Sequence, residues 1–185
     1  MAPTDYILVF YSFILALAVA ELLEGVGGLL SPGSTALPAR IHTAWVASLL
    51  LGIVSFWWAM WQWRDIQSWT ALGFLVHGSG VLLLFLMTFV TFPRELSGVD
   101  LRSYYFRIAP RVWGMWAVYF LIVIVSLRMV RGAPLSPSAI DVPNVAAIAV
   151  SLIVSRSERP AVHWIGLSLL FTTGLAFFIL GPPVN

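Results

Sequence analysis

Cysteine and lysine are both absent from this sequence, and each absence excludes a kind of chemistry. Without cysteine the 185-residue chain has no disulfide, no thiolate-bound iron–sulfur cluster and no cysteine nucleophile. All ten basic side chains are arginine, so no lysine is available to form a Schiff base with retinal or pyridoxal phosphate. Photoreceptors of the opsin type are therefore excluded.

Charge of either sign is scarce. Charged residues make up 10% of the chain, whereas 60% of the residues are apolar and the mean hydropathy is +0.94. A soluble domain carries about 25% charged residues, so the charges here are too few to cover a surface in water. No arginine-rich patch with interleaved aromatic residues lies on a polar face, so nucleic acid is not an expected partner. The composition predicts a protein embedded in lipid.

Five apolar runs are long enough to cross a bilayer, whose hydrocarbon core takes about 20 helical residues. A sixth run, 140–157, is shorter and has Pro143 near its start, where a first helical turn tolerates proline. The sequence therefore predicts an all-α fold, a single transmembrane domain over residues 1–185 with about six membrane helices. The predicted helices cover 6–30, 41–63, 69–92, 112–130, 140–157 and 162–180.

The placement of the arginines favours six crossings over five. With six crossings, seven arginines lie on one side of the membrane and three on the other, whereas five crossings give five on each side. Cytoplasmic loops are enriched in basic residues, so both termini are predicted to lie outside the cytoplasm. The seven are Arg40, Arg94, Arg102, Arg107, Arg111, Arg156 and Arg159, and the three are Arg64, Arg128 and Arg131.

The longest polar stretch, 93–110, contains a short amphipathic segment. Its apolar residues recur at i, i+3, i+4 and i+7, and two arginines lie off that face. This pattern predicts a short interfacial helix over 100–108 between helices 3 and 4, with its arginines toward lipid headgroups. The apolar residues are Leu101, Tyr104, Tyr105 and Ile108.

The nine tryptophans lie near the predicted ends of the membrane helices. Indole rings favour the headgroup region, so two belts are predicted. The alternative is that a tryptophan-rich run stacks on the ring of a quinone or pigment. The outer belt would hold Trp57, Trp58, Trp61, Trp63 and Trp69, and the inner belt Trp45, Trp113, Trp116 and Trp164.

Two glutamates near the end of the first helix are candidate functional residues. A carboxylate is costly in hydrocarbon and faces protein or water. Glu24 shares a helical stripe with small residues, which let another helix approach closely, and Glu21 is 60° away. The stripe is therefore predicted to face the bundle interior or a subunit interface. The alternative is that both glutamates lie near the interface and reach water or pair with Arg40. The stripe is Ser12, Ala16, Ala20, Glu24 and Gly27, and Tyr11, Leu15, Val19, Leu22 and Val26 lie opposite.

Two histidines begin helices on the same predicted side as these glutamates. His42 begins helix 2 and His163 begins helix 6. Together with Glu21 and Glu24 they could form a proton relay or, as a weak candidate, a site for a divalent transition metal. An interfacial histidine that caps a helix is the simpler alternative.

His77 lies well inside helix 3, on a stripe of small and polar residues that predicts an interior surface. That surface would be a tight helix contact or the wall of a wet path. The neighbouring Ser79 superficially suggests a serine nucleophile, but residues two apart on a helix point in different directions. An enzyme is therefore not the expected function. The stripe is Thr70, Gly73, His77, Gly80, Thr88 and Thr91.

Several local patterns, spread over residues 5–130, resemble a group of small bacterial polytopic membrane proteins of unknown activity. The resemblance implies a bacterial inner-membrane setting, and it implies no activity and no functional residue. The patterns are His42-Thr43-Ala44-Trp45, Trp61-Gln62-Trp63-Arg64-Asp65 followed by Trp69, Asp100-Leu101-Arg102-Ser103-Tyr104-Tyr105, and Arg111-Val112-Trp113.

These observations predict an ion, proton or small-solute channel or transporter with an interior polar path. Because six helices are few to enclose a pore, a homo-oligomer is expected. The alternative is an accessory subunit of a larger membrane complex that holds partner helices or apolar cofactors. The bilayer is the expected surrounding, and the chain has no predicted cofactor of its own. The path residues would be Glu21, Glu24, His42 and His77, with His163, Ser12 and Thr88 as possible additions.

Overall fold

The computed structural model describes residues 3–64, 66, 69–131 and 141–180, which form six α-helices. Five of these helices are long and apolar enough to cross a membrane, so the predicted all-α membrane bundle is confirmed. The sixth has 14 residues and spans about 21 Å at 1.5 Å per residue. The helices are α1 Pro3–Leu30, α2 Arg40–Met60, α3 Ala71–Thr91, α4 Leu101–Arg131, α5 Val142–Ser155 and α6 Pro160–Leu180.

The helices that begin together define one end of the bundle. Pro160 and Trp164 of α6 line a small pocket with Arg40 of α2 and Arg102 of α4, so α2, α4 and α6 all begin there. Since α4 runs away from this end, the short α5 brings the chain back to it. We call it the arginine-rich end, and we call the other end, where α2, α4 and α6 finish, the opposite end.

Helix α3 presents small residues to its neighbours. A β-carbon at Gly78 would lie 3.1 Å from the ring of Tyr11 in α1, and one at Gly80 would lie 3.3 Å from Ile122 in α4. The predicted interior stripe of α3 is confirmed from Gly73 to Thr91. Its buried members are Gly73, His77, Gly80, Thr88 and Thr91.

The prediction that the small-residue stripe of α1 faces the bundle is wrong within the single chain. Tyr11, Leu15 and Leu22 are buried, whereas Ala16, Ala20, Glu24 and Gly27 are exposed. The physical reason is that α3 supplies the small residues at the contact between α1 and α3. Helix α1 therefore turns its large side chains toward α3, where they fill the space beside those small residues. The Tyr11 ring stacks on Phe74, and its hydroxyl donates a hydrogen bond to the Phe74 carbonyl at 2.7 Å.

The predicted interfacial helix over 100–108 is also wrong, because this segment forms the first two turns of α4. The helix continues without a break through Pro110. Leu101, Tyr105 and Ile108 are buried in protein rather than placed against lipid. With 31 residues α4 is about 46 Å long, so its first turns extend beyond a hydrocarbon core of about 30 Å.

Asp100 caps the start of α4. Its carboxylate accepts hydrogen bonds from the Ser103 hydroxyl and from the backbone N–H groups of Arg102 and Ser103. These hydrogen bonds lower the pKa of Asp100, the Ser103 hydroxyl having the largest effect. The cap fixes where the helix begins, just after the loop from α3.

The two tryptophan belts are only partly present. Trp57, Trp58, Trp61 and Trp164 are exposed, as belt residues would be. Trp45, Trp113 and Trp116 differ because α2 and α4 face one another in the core: Trp45 of α2 lies 6.1 Å from Trp113 of α4, ring centre to ring centre. Trp63, just after α2, is also buried, and Trp69 is half-buried.

Replacing Gly25 by alanine is expected to destabilise the protein, because a β-carbon there would overlap the ring of Phe92. Overpacking of this kind costs about 1–3 kcal/mol. Gly27, two residues further on, has nothing within 4 Å of its β-carbon position, so Gly27→Ala is the matched control. Thermal unfolding of the purified protein in detergent should show a lower Tm for Gly25→Ala only, and adding Phe92→Ala should recover part of the loss. Equal Tm values for the two glycine variants would contradict this packing.

Candidate functional site

The four predicted path residues do not meet. Glu24 is exposed and Glu21 is half-buried. Gly25, next to Glu24, contacts Phe92 just beyond the last residue of α3, which places both carboxylates near the arginine-rich end of the bundle. There a glutamate side chain can reach headgroups and water, as the alternative interpretation of the sequence held.

His42 also lies at this end, with its ring turned inward. The ring is buried, and its Nε2 is 2.8 Å from the carbonyl oxygen of Thr91. Because a carbonyl only accepts, Nε2 carries the proton. Trp45 donates its indole N–H to the Thr91 hydroxyl at 3.0 Å. These two hydrogen bonds therefore link the start of α2 to the end of α3.

His163 forms a second buried link at the same end. Its Nε2 donates to the Ser157 carbonyl at 2.8 Å, so Nδ1 of the neutral ring is an acceptor. The Tyr105 hydroxyl lies 3.0 Å from Nδ1 and donates to it. The same hydroxyl accepts a hydrogen bond from the Trp113 indole at 3.1 Å. This chain of hydrogen bonds joins α4 to α6.

The weak metal candidate does not form a ligand cluster. Over the part of the chain that the structure describes, no three His, Asp or Glu side chains are grouped as metal ligands. Glu21, Glu24, His42 and His163 therefore share one end of the bundle without sharing a site. Of the two further path candidates, Ser12 is half-buried and the Thr88 hydroxyl donates to the Phe85 carbonyl of its own helix.

His77 differs from the other two histidines. It is 3% exposed, and neither ring nitrogen has a hydrogen-bond partner among the described residues. Its ring is enclosed by Trp63 at 3.9 Å, Phe56 at 5.4 Å, Tyr11 at 5.5 Å and Trp69 at 6.0 Å between ring centres. His77 is 14 residues from Thr91 along α3, about 21 Å at 1.5 Å per residue, and is thus far from His42.

The His77 ring forms part of the wall of a cavity of about 530 Å³. The other walls come from α2, α4, α5, α6 and Trp63, and they are mostly apolar. No Asp, Glu or Arg is among the described residues that line it. The rings that line the cavity are those of Phe56, Trp63, His77, Trp116, Tyr119, Phe120 and Phe177.

The cavity opens to the surface of the bundle between α5 and α6. These helices meet near the arginine-rich end, where a β-carbon on Gly166 would lie 2.7 Å from Val154. Further toward the opposite end the two helices line the cavity instead. Its exposed lining residues all belong to α5 and α6, and they are Pro143, Ala146, Leu169 and Thr173.

Several serine hydroxyls in and near this cavity already have hydrogen-bond partners. The Ser48 and Ser55 hydroxyls donate to carbonyls of their own helix. Ser79 does likewise, to Val76, so the serine pattern seen in the sequence is not assembled as a nucleophile. Trp116 adds a second buried donor, since its indole N–H has no partner among the described residues. The site can thus offer a neutral molecule apolar walls and a few hydrogen bonds.

Sequence reasoning singled out His77 but missed the residues around it. The sequence pattern places Trp116 in a belt and does not single out Tyr119 or Ala147. The one available signal was the alternative that tryptophans stack on a ring, because Trp63 belongs to the tryptophan-rich run and lies against the cavity.

Removal of the Tyr105 hydroxyl is expected to destabilise the bundle. In Tyr105→Phe both the His163 ring and the Trp113 indole lose a buried partner, at a cost of about 1–3 kcal/mol for each group. The matched control is Tyr6→Phe, since Tyr6 is exposed on α1. Tm measured in detergent should fall for Tyr105→Phe and stay unchanged for Tyr6→Phe, and an unchanged Tm in both would contradict the assigned hydrogen bonds.

Comparison with known proteins returns no match, since no protein family model, no curated protein and no solved structure is significantly similar to this chain. The cavity and its residues are therefore the basis on which function is inferred.

Proposed function

We propose that this integral membrane protein binds a neutral, lipophilic small molecule in the cavity between α2, α4, α5 and α6. The observation that carries the proposal is the cavity itself, apolar over most of its wall and bordered by a buried imidazole with no hydrogen-bond partner among the described residues. This function lies close to the accessory-subunit alternative, in which the protein holds an apolar cofactor.

The size and position of the cavity support a lipophilic ligand. A volume of about 530 Å³ falls within the range of about 300–1,000 Å³ that is typical of small-molecule sites. The mouth between α5 and α6 faces the lipid, so a molecule dissolved in the bilayer can enter sideways without crossing water. A tail longer than the cavity can remain among the acyl chains.

The charge distribution supports a neutral ligand. An ion in a low-dielectric cavity requires paired charges or many dipoles, and the described lining offers neither carboxylate nor guanidinium. The nearby ion pair of Arg128 and Asp141 lies where α4 ends and α5 begins, and neither residue lines the cavity.

An ion or proton path is the second candidate function, and it receives less support. Of its four residues only His77 lines the cavity, while Glu21, Glu24 and His42 lie at the arginine-rich end. The observation in its favour is the unpaired imidazole inside the membrane, because intramembrane ionisable groups often mark proton routes. Proton flux in liposomes that falls in Glu21→Gln or Glu24→Gln would favour the path over the ligand.

The setting and orientation are part of the same proposal. The positive-inside rule assigns the arginine-rich end to the cytoplasm and both termini to the other side. The resemblance described above suggests a bacterial inner membrane. Assembly into a homo-oligomer or a larger complex stays a prediction, and the exposed stripe of α1 around Ala16 and Ala20 is its candidate contact.

Filling the cavity should abolish binding. Ala147 of α5 lines the cavity, whereas Ala149 on the same helix is exposed and does not. The probe is decylbenzene carrying a photoreactive diazirine, added to the protein in phosphatidylcholine nanodiscs and competed with plain decylbenzene. We expect saturable labelling of lining residues in the wild type and in Ala149→Phe, and loss of that labelling in Ala147→Phe.

Competition distinguishes labelling inside the cavity from labelling of the lipid-facing surface, because labelling of exposed side chains by a probe in the bilayer does not saturate. Equal saturable labelling of the two variants, or no saturable labelling of the wild type, would overturn the proposed function. Elution volume and Tm confirm that both variants are folded.

A further inference from the structure

Two of the residues that line the cavity, His77 and Trp116, carry buried nitrogens that have no partner among the described residues. A buried donor or acceptor without a partner costs free energy, and a hydrocarbon ligand would leave both His77 and Trp116 unpaired. An indole N–H only donates, so Trp116 requires an acceptor atom. A neutral imidazole donates from one nitrogen and accepts at the other, so His77 can pair with either a carbonyl or a hydroxyl oxygen.

The imidazole can present a nitrogen to the cavity from any part of its outer edge. A half-turn about the Cβ–Cγ bond exchanges each ring nitrogen with a ring carbon in the same space. The aromatic residues around His77 keep their positions in either orientation. As the ring is placed, neither nitrogen exposes surface to the cavity, so a ligand oxygen at the wall would pair with His77 through the half-turned ring.

The remaining wall suits a flat ring. Phe56, Tyr119 and Trp116 follow one another along the cavity, with ring centres 6.2 Å and 5.1 Å apart, and Phe120 stacks on Trp116 at 5.3 Å. Aromatic rings prefer offset-stacked or edge-to-face neighbours. A planar ligand would meet such surfaces, whereas an acyl chain alone needs only aliphatic contacts.

We infer that the ligand is a planar ring bearing carbonyl or hydroxyl oxygens, the quinone–quinol class, with one oxygen bonded to His77 and an apolar tail leaving between α5 and α6. This inference rests on the proposed function of the cavity. It concerns binding only, and one site can hold both members of the class because the neutral imidazole donates to a carbonyl and accepts from a hydroxyl.

The test compares three competitors that share a ten-carbon tail: 2-decyl-1,4-benzoquinone, its quinol and decylbenzene. Each is tested for displacement of the diazirine probe from the protein in phosphatidylcholine nanodiscs. The amount of each competitor is expressed as a mole fraction of the lipid, so that differences in partitioning into the bilayer do not affect the comparison. In the wild type we expect the quinone and the quinol to displace the probe at about tenfold to a hundredfold lower mole fraction than decylbenzene, as pairing of one buried polar group implies.

Two variants assign that preference to the imidazole. His77→Leu keeps an apolar wall and removes the hydrogen bond, so all three competitors should displace the probe at similar mole fractions. His77→Gln retains a donor and an acceptor and should keep most of the preference. If His77→Leu fails to fold, the wild-type comparison still decides the ligand class, because it requires no variant.

The outcomes separate the two proposals. If decylbenzene displaces the probe as well as the quinone does, or if His77→Leu keeps the preference, the ligand class is wrong while binding in the cavity stands. If no competitor displaces the probe from the wild type, the cavity is not a ligand site and both proposals fail.

Discussion

A bilayer interior supplies no hydrogen-bond partner, so a polar side chain there must find one within the protein or remain unpaired at a free-energy cost. This constraint organises the bundle. His42 and His163 meet it by joining neighbouring helices, α2 to α3 through Thr91 and α4 to α6 through Tyr105. His77 does not meet it among the described residues. Hydrogen bonds of His42 and His163 therefore link the helices at one end of the bundle, whereas His77 lies in the half that contains the cavity.

Helix packing explains why the space lies where it does. Around α3 small and large residues are complementary, since Gly78 receives the Tyr11 ring and Gly80 receives Ile122. Several side chains that line the cavity are small, with Ala59 on α2 and Ala146 and Ala147 on α5. Apolar surface gains no hydrophobic free energy from leaving lipid for another helix, so nothing forces these helices to close the gap.

The charged side chains lie away from the cavity wall. The described arginines and carboxylates lie toward the two ends, where helices such as α4 exceed the thickness of the hydrocarbon, and the described cavity wall holds none. Glu21 and Glu24 looked intramembrane because apolar residues surround them in the sequence. In the structure they lie close to the level of Phe92, at the end of α3, where a carboxylate can be solvated.

The sequence by itself determined the membrane class, the approximate bounds of the apolar helices other than the start of α4, and the interior stripe of α3, because these depend on composition and on periodicity along one chain segment. Only the tertiary structure decided which face of α1 turns inward, that residues 100–108 continue into α4, and that His77 rather than Glu24 meets the cavity. Periodicity gives the sides of a helix relative to its own axis. The direction in which each side points depends on how well it fits the neighbouring helix, and that fit involves residues far apart in the chain.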